Sequence, residues 1–597
     1  VRTGPESARA ARALDARAFT TPAGVIHLGG GASAGDDRLL LHEAAHTLQQ
    51  PPGGTGADRL SEPGDRFEAN AHDVAAAAGG DAHARVLAGG AGVVRRDVVS
   101  EVKDKLSYEL LDWAITDAEA TDAFALLDAV PDADLPGVLT KIGPTAVSRL
   151  LDNLPGELKT GPKYTRIIQT LGTGATLPFV LDQLQTGLFD WAVTDAEVNQ
   201  IFNVYTNLAP TQQDQFWTTL AARGRLGKLV SNMSEAHDIL YLRPWVRTLV
   251  KGATAAEPNP NAAALTDPQK TVLRTMVEET DSLATADLLL EARFNVTIAR
   301  FTAAGKSAQH VADNKMVGAD FSVDQLRRIW VILEALPPGH VAGNAELDRL
   351  TRFEGAEGGP SGFYYGNPDL REATIGESGT GKRFSDVVRH EVGHGVDRKI
   401  GFLAKGEHTK AERGGWTVHA STADAAKEAT TLSAAGVSAL TGADRGLVEA
   451  EMVKVMDDHS KKPADLAGLK TTIRNLPLWA ALPAATRDAK RSAALADPAL
   501  QAVVANRGQN APWDMKDGGV RLGTPARIVQ ESGTGDWTSY AFEARERAVS
   551  AYQFRAPAEW FAEAYVAYYA GGETEVDDLS KKDPKTKAWF DANVHNK

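Results

Sequence analysis

The chain contains no cysteine among its 597 residues. Disulfides and thiolate chemistry are therefore excluded, and any bound metal ion must be held by histidine, aspartate or glutamate. The sequence also lacks any apolar run near the roughly 20 residues that span a bilayer. Its first residues show no basic segment followed by an apolar one, the pattern of a Sec-type signal peptide. We therefore expect no transmembrane segment, and we expect any export to use another route.

An excess of positive charge is absent as well. Asp and Glu number 78 against 64 Lys and Arg, which gives a formal net charge of −14. Such an acidic chain does not suit nucleic acid as its main partner. Its 43% hydrophobic and 24% charged residues are typical of globular proteins. Because the chain is several times longer than a usual domain, we predict a mainly α, multidomain protein with about three or four hydrophobic cores.

An internal repeat lies within the stretch 96–251. Residues 110–119, Leu-Leu-Asp-Trp-Ala-Ile-Thr-Asp-Ala-Glu, return 78 positions later as 188–197, Leu-Phe-Asp-Trp-Ala-Val-Thr-Asp-Ala-Glu. In the first copy Thr116 can cap the amides of a helix while Glu119 reaches back, the capping-box pattern. No catalytic pattern accompanies the repeat, so we predict that this stretch is a helical repeat spacer.

Composition divides the rest of the chain. Residues 1–95 are rich in Ala and Gly and suggest a small compact domain, whereas 252–264 are rich in Pro, Ala and Asn and suggest a linker. Beyond the linker, 265–597 alternates helical segments with short apolar strands, for example the amphipathic 323–336 and the hairpin-like 362–366. We therefore predict an α+β domain dominated by helix at the C-terminal end.

A His-Glu-x-x-His motif lies in this C-terminal domain, where His390 and His394 are four residues apart. On a helix both imidazoles lie on one face and can bind one zinc ion, with Glu391 beside the metal-bound water. Zinc would lower the pKa of that water and polarise a carbonyl group, and Glu391 would accept the proton. The motif alone is also consistent with a pair of histidines that is solvated or caps an ordinary helix. The surrounding sequence must therefore distinguish a zinc site from this alternative.

A catalytic zinc site has three protein ligands and one open position. In metzincins a glycine and a third histidine follow the second histidine at three and six residues, but this chain has Asp397 and Ile400 there. The third ligand is therefore expected to be an acidic residue on another helix. The segment 558–569 carries Glu559 and Glu563 on one face of an otherwise apolar helix. Burying both is costly unless one binds the metal ion and the other orients a histidine.

The pattern His-Glu-x-Gly-His-x-Val-Asp, with Tyr-x6-Glu-x-Phe-Ala-Glu-Ala downstream, resembles the catalytic domain of anthrax lethal factor and related zinc peptidases. The resemblance covers about 290–597 and implies a zincin-like (gluzincin) fold with a short sheet and an active-site helix. It implies the following roles: zinc ligands His390, His394 and Glu559, general base Glu391, oxyanion-stabilising Tyr552, and Glu563 as a hydrogen-bond partner of a ligand.

One departure from that family is the long segment between Asp397 and Tyr552, which indicates a helical insertion at about 405–535. A further expectation concerns Tyr364 and Tyr365, which we predict to lie in an edge strand beside the active-site helix. An exposed strand edge can bind an extended peptide by strand addition.

A second His-Glu-x-x-His motif spans 42–46, and the segment 61–72 follows it. Together with the apolar runs at 18–20 and 25–29, this order and spacing resemble the DUF4157 domain. That domain is a small metallopeptidase-like module found near the front of cargo of extracellular contractile injection systems. The resemblance covers about 10–78 and implies a small zincin-like domain at the N-terminal end.

The N-terminal resemblance also implies a second zinc site with ligands His42, His46 and Glu68 and with Glu43 as its base. In the family the later helix usually reads Glu-x-Glu-Ala-Asp, whereas here Asn70 and His72 replace the second Glu and the Asp. His72 would then take the hydrogen-bonding place of the missing acid. Independent catalysis, zinc binding without turnover and a purely structural role all stay open for this domain.

Together the resemblances imply a zinc-dependent endopeptidase of the HExxH…E type, made in the bacterial cytoplasm and delivered into a target cell by a contractile injection system. Its expected partners are a peptide or protein substrate and the tube, sheath or loading components of the machine. Its expected cofactor is Zn2+, one ion in the C-terminal site and a second if the N-terminal site is intact. Two alternatives stay open: a non-catalytic cargo protein stabilised by zinc, and a peptidase that processes only itself.

Overall fold

The computed structural model describes residues 18–20, 26–28 and most of 98–597. Within 98–597 the described part excludes 107–115, 156–157, 159–161, 172–194, 207, 209, 251–263, 357–359, 368–369, 377–381, 434–435, 459–464, 508–512, 514–518, 533–534 and 571–573. The chain divides into two compact units, Val1–Arg293 and Phe294–Lys597. The structure is mainly helical with small sheets, so the prediction of a mainly α, multidomain chain is confirmed.

The described part of the first unit includes two short strands, β1 (Ala18–Thr20) and β2 (Ile26–Leu28), which pair antiparallel at two of the apolar runs noted in the sequence. Its helices are α1 (Val98–Lys105), α2 (Asp117–Asp128), α3 (Leu135–Ile142), α4 (Pro144–Asn153), α5 (Pro162–Leu171), α6 (Asp195–Tyr205), α7 (Pro210–Ala222), α8 (Leu226–Val230), α9 (Glu235–His237), α10 (Arg243–Val250), α11 (Asp267–Glu279) and α12 (Leu283–Phe294, which ends in the second unit). A π-helical turn, Asp238–Leu242, joins α9 to α10.

The internal repeat forms equivalent helices. Both α2 and α6 begin at the aspartate of the Thr-Asp-Ala-Glu sequence, and they bury Phe124 and Phe202 at matching positions. In the first copy Thr116 caps α2 and the Glu119 carboxylate accepts the Thr116 amide at 2.7 Å, which confirms the capping box. In the second copy Thr194 lies outside the described residues.

The boundary between the units lies later than the linker composition suggests. We predicted that the C-terminal domain begins at 265, but the second compact unit begins at Phe294. Helix α11 packs against α7 and α8 of the first unit and buries Val272, Leu273 and Met276. The composition of 252–264 predicts a linker, but it does not show with which unit the following apolar helix packs.

The second unit combines a mixed sheet, a helical bundle and a group of helices around the motif. Its helices are α13 (Ala308–Asp313), α14 (Val323–Glu334), α15 (Lys382–Ile400), α16 (Thr422–Leu432), α17 (Gly442–Asp457), α18 (Ala467–Arg474), α19 (Ala484–Leu495), α20 (Pro498–Ala505), α21 (Pro557–Tyr569), α22 (Leu579–Lys582) and α23 (Pro584–Asn593). Its strands are β3 (Thr297–Arg300), β4 (Val317–Ala319), β5 (Arg349–Glu354), β6 (Gly362–Tyr365), β7 (Glu372–Ile375), β8 (Thr417–Val418), β9 (Arg527–Glu531) and β10 (Trp537–Ala541). Short 3-10 turns connect several of these elements, among them Pro338–His340 and Tyr552–Phe554.

The five-stranded sheet supports the helix that carries the C-terminal motif. Its strand order is β3-β5-β7-β6, with β4 beside β5. Strands β3, β5 and β7 run parallel, whereas β6 is antiparallel to β7 and forms an edge among the described strands. The prediction that Tyr364 and Tyr365 lie in an edge strand is therefore confirmed. All four residues of β7 are buried, and α15 packs across β7 and β6.

The segment predicted as a helical insertion at about 405–535 contains helices α16 to α20, which share a core of their own with Val448, Met452, Trp479 and Leu500. It also contributes strands β8 and β9, which pair with β10 in a three-stranded sheet of order β8-β10-β9. Strand β9 is too short for its hydrophobic period to distinguish a strand from a helix in the sequence.

None of the described helices combines the length and apolar character needed to cross a membrane.

Candidate metal centre

Two helices of the second unit bring the site residues together. Helix α15 carries the C-terminal motif, and α21 packs closely against it. The approach is close at Gly393, where an added Cβ atom would lie 3.3 Å from the Cα atom of Ala562 and 3.3 Å from the Cβ atom of Tyr565. The glycine inside the motif therefore leaves room for the second helix, which brings its carboxylates to the histidine face.

Three predicted ligands meet at this contact. The Nε2 atom of His390 lies 2.9 Å from the Oε2 atom of Glu559, and the Nε2 atom of His394 lies 3.5 Å from the same oxygen. All three donor atoms lie within 4.8 Å of one another, an arrangement that can hold a metal ion. The donors are two imidazole nitrogens and one carboxylate oxygen, the set that zinc uses in catalytic sites.

Glu563 lies behind His390, one turn after Glu559 on α21. Its Oε1 atom is 2.8 Å from the Nδ1 atom of His390, and its other oxygen accepts a hydrogen bond from the Ser550 hydroxyl. A carboxylate in this position orients a ligand histidine and makes it more basic. The four side chains therefore fit a zinc ion both in their donor atoms and in their supporting hydrogen bond.

Without a metal ion, charge in the site is shared between the imidazoles and the carboxylates. Burial disfavours a charged His390, but the hydrogen bonds and charges of Glu559 and Glu563 outweigh burial and raise the His390 pKa well above its usual value. Burial likewise opposes ionisation of Glu559, but hydrogen bonds and charges from His390 and His394 hold its pKa well below the usual range. The site therefore favours a positive charge between these groups, where a metal ion would lie.

The predicted base, Glu391, is buried beside the ligands. Only 4% of the residue is exposed, and its Oε2 atom has no hydrogen-bond partner among the described residues. Burial raises the Glu391 pKa to about 7, which the charges of the two histidines partly oppose and the neighbouring carboxylates reinforce. A carboxyl group with this pKa can accept and return a proton near neutral pH.

Tyr552 lies beside Glu559 and His390, with its ring centroid 5.8 Å from that of His390. Its hydroxyl is 3.5 Å from the Oε1 atom of Glu559 and accepts a 2.6 Å hydrogen bond from the Nη1 atom of Arg555. Arg555 also donates through Nε to the carbonyl of Ser532 at 2.9 Å, and its guanidinium lies 5.3 Å from the ring of Trp513. Sequence analysis did not identify Arg555, because no pattern in the chain links it to the motif.

These residues line one cleft of about 740 Å³. The walls include the edge strand β6, the first turn of α21 and the end of α13, which contributes His310 and Asp313. Tyr364 of β6 stacks beside His394 with ring centroids 5.9 Å apart, and its hydroxyl donates to the backbone carbonyl of Glu346. The cleft therefore brings the strand β6 and the ligands into one continuous space.

The residues predicted for the N-terminal site lie outside the described residues: His42, Glu43, His46, Glu68 and His72. The structure therefore gives no geometry for a second zinc site.

Comparison with protein families identifies the N-terminal segment. Residues 1–54 match the family described as the eCIS core domain. This match supports the predicted resemblance to the DUF4157 family and associates the chain with extracellular contractile injection systems. It includes the motif at 42–46 but ends before Glu68 and His72. Neither the curated proteins nor the solved structures yielded a significant match to the chain.

Proposed function

We propose that the chain is a zinc-dependent endopeptidase that a contractile injection system carries into a target cell as a toxin or effector. The observation that supports the enzymatic part is the convergence of His390, His394 and Glu559 beside the buried Glu391 in a cleft bounded by a free strand edge. The observation that supports the delivery part is the match of residues 1–54 to the eCIS core domain.

The protein's own residues would divide the work of peptide hydrolysis. When bound, a zinc ion would supply Lewis-acid activation of the scissile carbonyl and of a water molecule. Glu391 would accept the proton from that water and return it to the leaving amine, a transfer suited to a carboxyl group with a pKa near 7. Glu563 would hold the His390 ring in place through its contact with Nδ1.

Tyr552 would stabilise the negative charge that develops on the carbonyl oxygen. Its hydroxyl can turn from Glu559 to donate a hydrogen bond to that oxygen, and the Arg555 guanidinium supports the phenol oxygen from behind. Because a donor already in position needs little rearrangement, the interaction favours the transition state over the bound substrate.

The substrate would bind as an extended peptide along β6. Only one edge of β6 pairs with another strand among the described residues, and the strand lies in the wall of the cleft. Main-chain hydrogen bonds to the free edge would hold the peptide without requiring a particular sequence. Selectivity would then come from the side chains around the cleft.

The test compares the unsubstituted full-length protein with its Glu391→Gln variant in bacterial and animal cell lysates, with new protein N-termini as the readout. Glutamine keeps the shape of the side chain but accepts no proton, so the variant should bind as much zinc as the parent and produce no cleavages. Cleavages found only with the unsubstituted protein would support the peptidase and name its substrates.

Zinc content is measured in both samples, and a matched Glu543→Gln variant controls for the loss of one carboxylate, because Glu543 is exposed. Identical sets of N-termini with zinc present in both proteins would exclude general proteolysis. A new N-terminus only in the chain itself would assign the activity to self-processing.

A further inference from the structure

The end of the cleft beyond His394 contains a cation that the proposed reaction does not use. Arg398 is four residues after His394 on α15, so His390, His394 and Arg398 follow one another along one face of the helix. Arg398 lines the same cleft as the ligands, and its side chain is 47% exposed.

Alternate residues from 362 to 366, in strand β6 and just after it, lie beside residues of α15 that are about one helical turn apart. Gly362 lies against Glu391, Tyr364 stacks beside His394, and the next residue of the same parity, Gly366, lies against Arg398. An added Cβ atom at position 366 would lie 2.8 Å from the Cδ atom of Arg398 and 2.9 Å from its Nη1 atom. Glycine therefore leaves space for the guanidinium at the end of the strand.

The guanidinium keeps donors available for a ligand. Its Nε atom lies 3.3 Å from a carboxylate oxygen of Glu346, and the described residues contain no hydrogen-bond partner for its two η nitrogens. The other arginine of the cleft, Arg555, already donates to Tyr552 and Ser532. Because two parallel N–H groups match the two oxygens of a carboxylate, Arg398 can bind one without displacing Glu346.

The neighbouring carboxylates, Asp397 and Glu346, leave the Arg398 guanidinium available to a ligand. Asp397 is buried, and one of its oxygens lies 3.4 Å from the backbone amide of Leu403. Glu346 is 35% exposed and forms a single, solvent-accessible ion pair with Arg398, a type of contact that contributes little in water. A ligand carboxylate held inside the cleft would be less exposed to solvent than this pair.

We propose that Arg398 binds a carboxylate of the peptide substrate. An extended peptide advances about 3.3 Å per residue, and helical positions four apart are separated by about 6 Å. The carboxylate therefore lies about two residues from the bond beside His394, either on an Asp or Glu side chain or at the free C-terminus of the peptide. The inference rests on the proposed peptidase function, because it takes the peptide to run along β6.

The test uses the full-length Glu391→Gln protein, immobilised with zinc, and a synthetic mixture of short peptides. The mixture contains matched Asp, Asn and Lys versions of each sequence, and each is present with a free and with an amidated C-terminus. We expect the acidic peptides to be enriched on the order of fivefold over their neutral partners, as for one solvent-accessible charge contact. Enrichment of the Asp over the Asn peptides that survives amidation assigns the carboxylate to a side chain, whereas enrichment of the free over the amidated peptides, in Asp and Asn versions alike, assigns it to the C-terminus.

The additional substitution Arg398→Gln should abolish the enrichment, and Arg398→Glu should reverse it in favour of Lys-containing peptides. Arg398→Lys should retain only part of it, because an ammonium group cannot donate two parallel hydrogen bonds to one carboxylate. Arg327→Gln, which removes a partly exposed arginine from α14, should leave it unchanged. Equal binding of all versions, free and amidated, or a preference for a carboxylate that persists after Arg398→Gln, would overturn the proposal.

Cleavage of the same mixture by the protein without substitutions is scored separately. Cleavage without any charge preference would refute the carboxylate site and retain the peptidase. Selective binding without cleavage would refute the peptidase and retain the carboxylate site.

Discussion

The Nδ1 atom of His390 lies 2.8 Å from a carboxylate oxygen of Glu563, and this contact determines which imidazole nitrogen is left for a metal ion. Because the carboxylate is an acceptor, Nδ1 carries the proton and Nε2 can present its lone pair in the metal-bound state. Nε2 is the atom that faces Glu559, at 2.9 Å. The two carboxylates of α21 are therefore expected to differ in role although they occupy one face of one helix.

Removing the charge of Glu563 should weaken zinc binding. We expect Glu563→Gln to lower the zinc affinity about 10- to 100-fold, because the oriented His390 ring loses its charged partner. Competition with a chromophoric chelator measures the affinity. The exposed Glu543→Gln variant should bind zinc like the parent. An unchanged affinity in Glu563→Gln would show that the contact does not support the site.

Arg555 should act through Tyr552. We expect Tyr552→Phe to lower kcat about 100-fold with little change in KM, as for loss of one oxyanion donor. Arg555→Gln should lower kcat in the same direction, because the phenol loses its 2.6 Å hydrogen bond. The double variant should be no slower than Tyr552→Phe alone, since both changes remove one interaction. Multiplying effects in the double variant would mean that Arg555 acts independently of Tyr552.

Gly362 should be needed for the position of the base. An added Cβ atom would lie 2.4 Å from the Oε1 atom of Glu391, so Gly362→Ala must displace that carboxylate. We expect a loss of activity with zinc still bound, and a destabilisation of about 1–3 kcal/mol from overpacking. Chemical denaturation and zinc content measure these effects.

A glycine with free space around it provides the matched control. Gly446 lies in α17, and an added Cβ atom there meets nothing within 4 Å. Gly446→Ala should keep full activity and gain about 0.5–1 kcal/mol, because alanine favours a helix interior. Full activity in Gly362→Ala would contradict the close contact with Glu391.

His340 should make the stability of the second unit depend on pH. It is fully buried, with Nε2 2.9 Å from the carbonyl of Val594 and Nδ1 3.0 Å from the hydroxyl of Tyr565. A carbonyl only accepts, so Nε2 donates, and in the neutral ring Nδ1 accepts from the Tyr565 hydroxyl. Burial accordingly lowers the His340 pKa from 6.5 to about 4, an effect that its hydrogen bond to Val594 partly opposes.

The unfolded chain therefore binds more protons than the folded one between about pH 4 and 6.5, and stability should fall as the pH falls through this window. The contribution of His340 is at most about 3 kcal/mol. Denaturation at pH 7 and pH 5, compared between the parent and His340→Gln, isolates it from other titrating groups. An equal fall in both proteins would exclude His340 as a cause.

Local spacing could be predicted from the sequence because helix geometry is regular. Positions four apart lie on one face, so the pairing of His390 with His394 and of Glu559 with Glu563 followed from their numbers alone. The same regularity indicated the capping box at Thr116, which the structure contains. The ligands of the N-terminal motif are inferred from the sequence alone, because those residues lie outside the part of the chain that the structure describes.

The tertiary structure alone decided which distant segments meet. Arg555 contacts the carbonyl of Ser532, and His340 joins α21 to the end of α23, through contacts that no sequence period marks. The later start of the second unit and the strands within the insertion also depend on which apolar faces pack together. The sequence by itself determined the donor atoms and their local spacing. Only packing of α21 against α15 decided that they converge, because a site built from separate segments depends on the core that joins them.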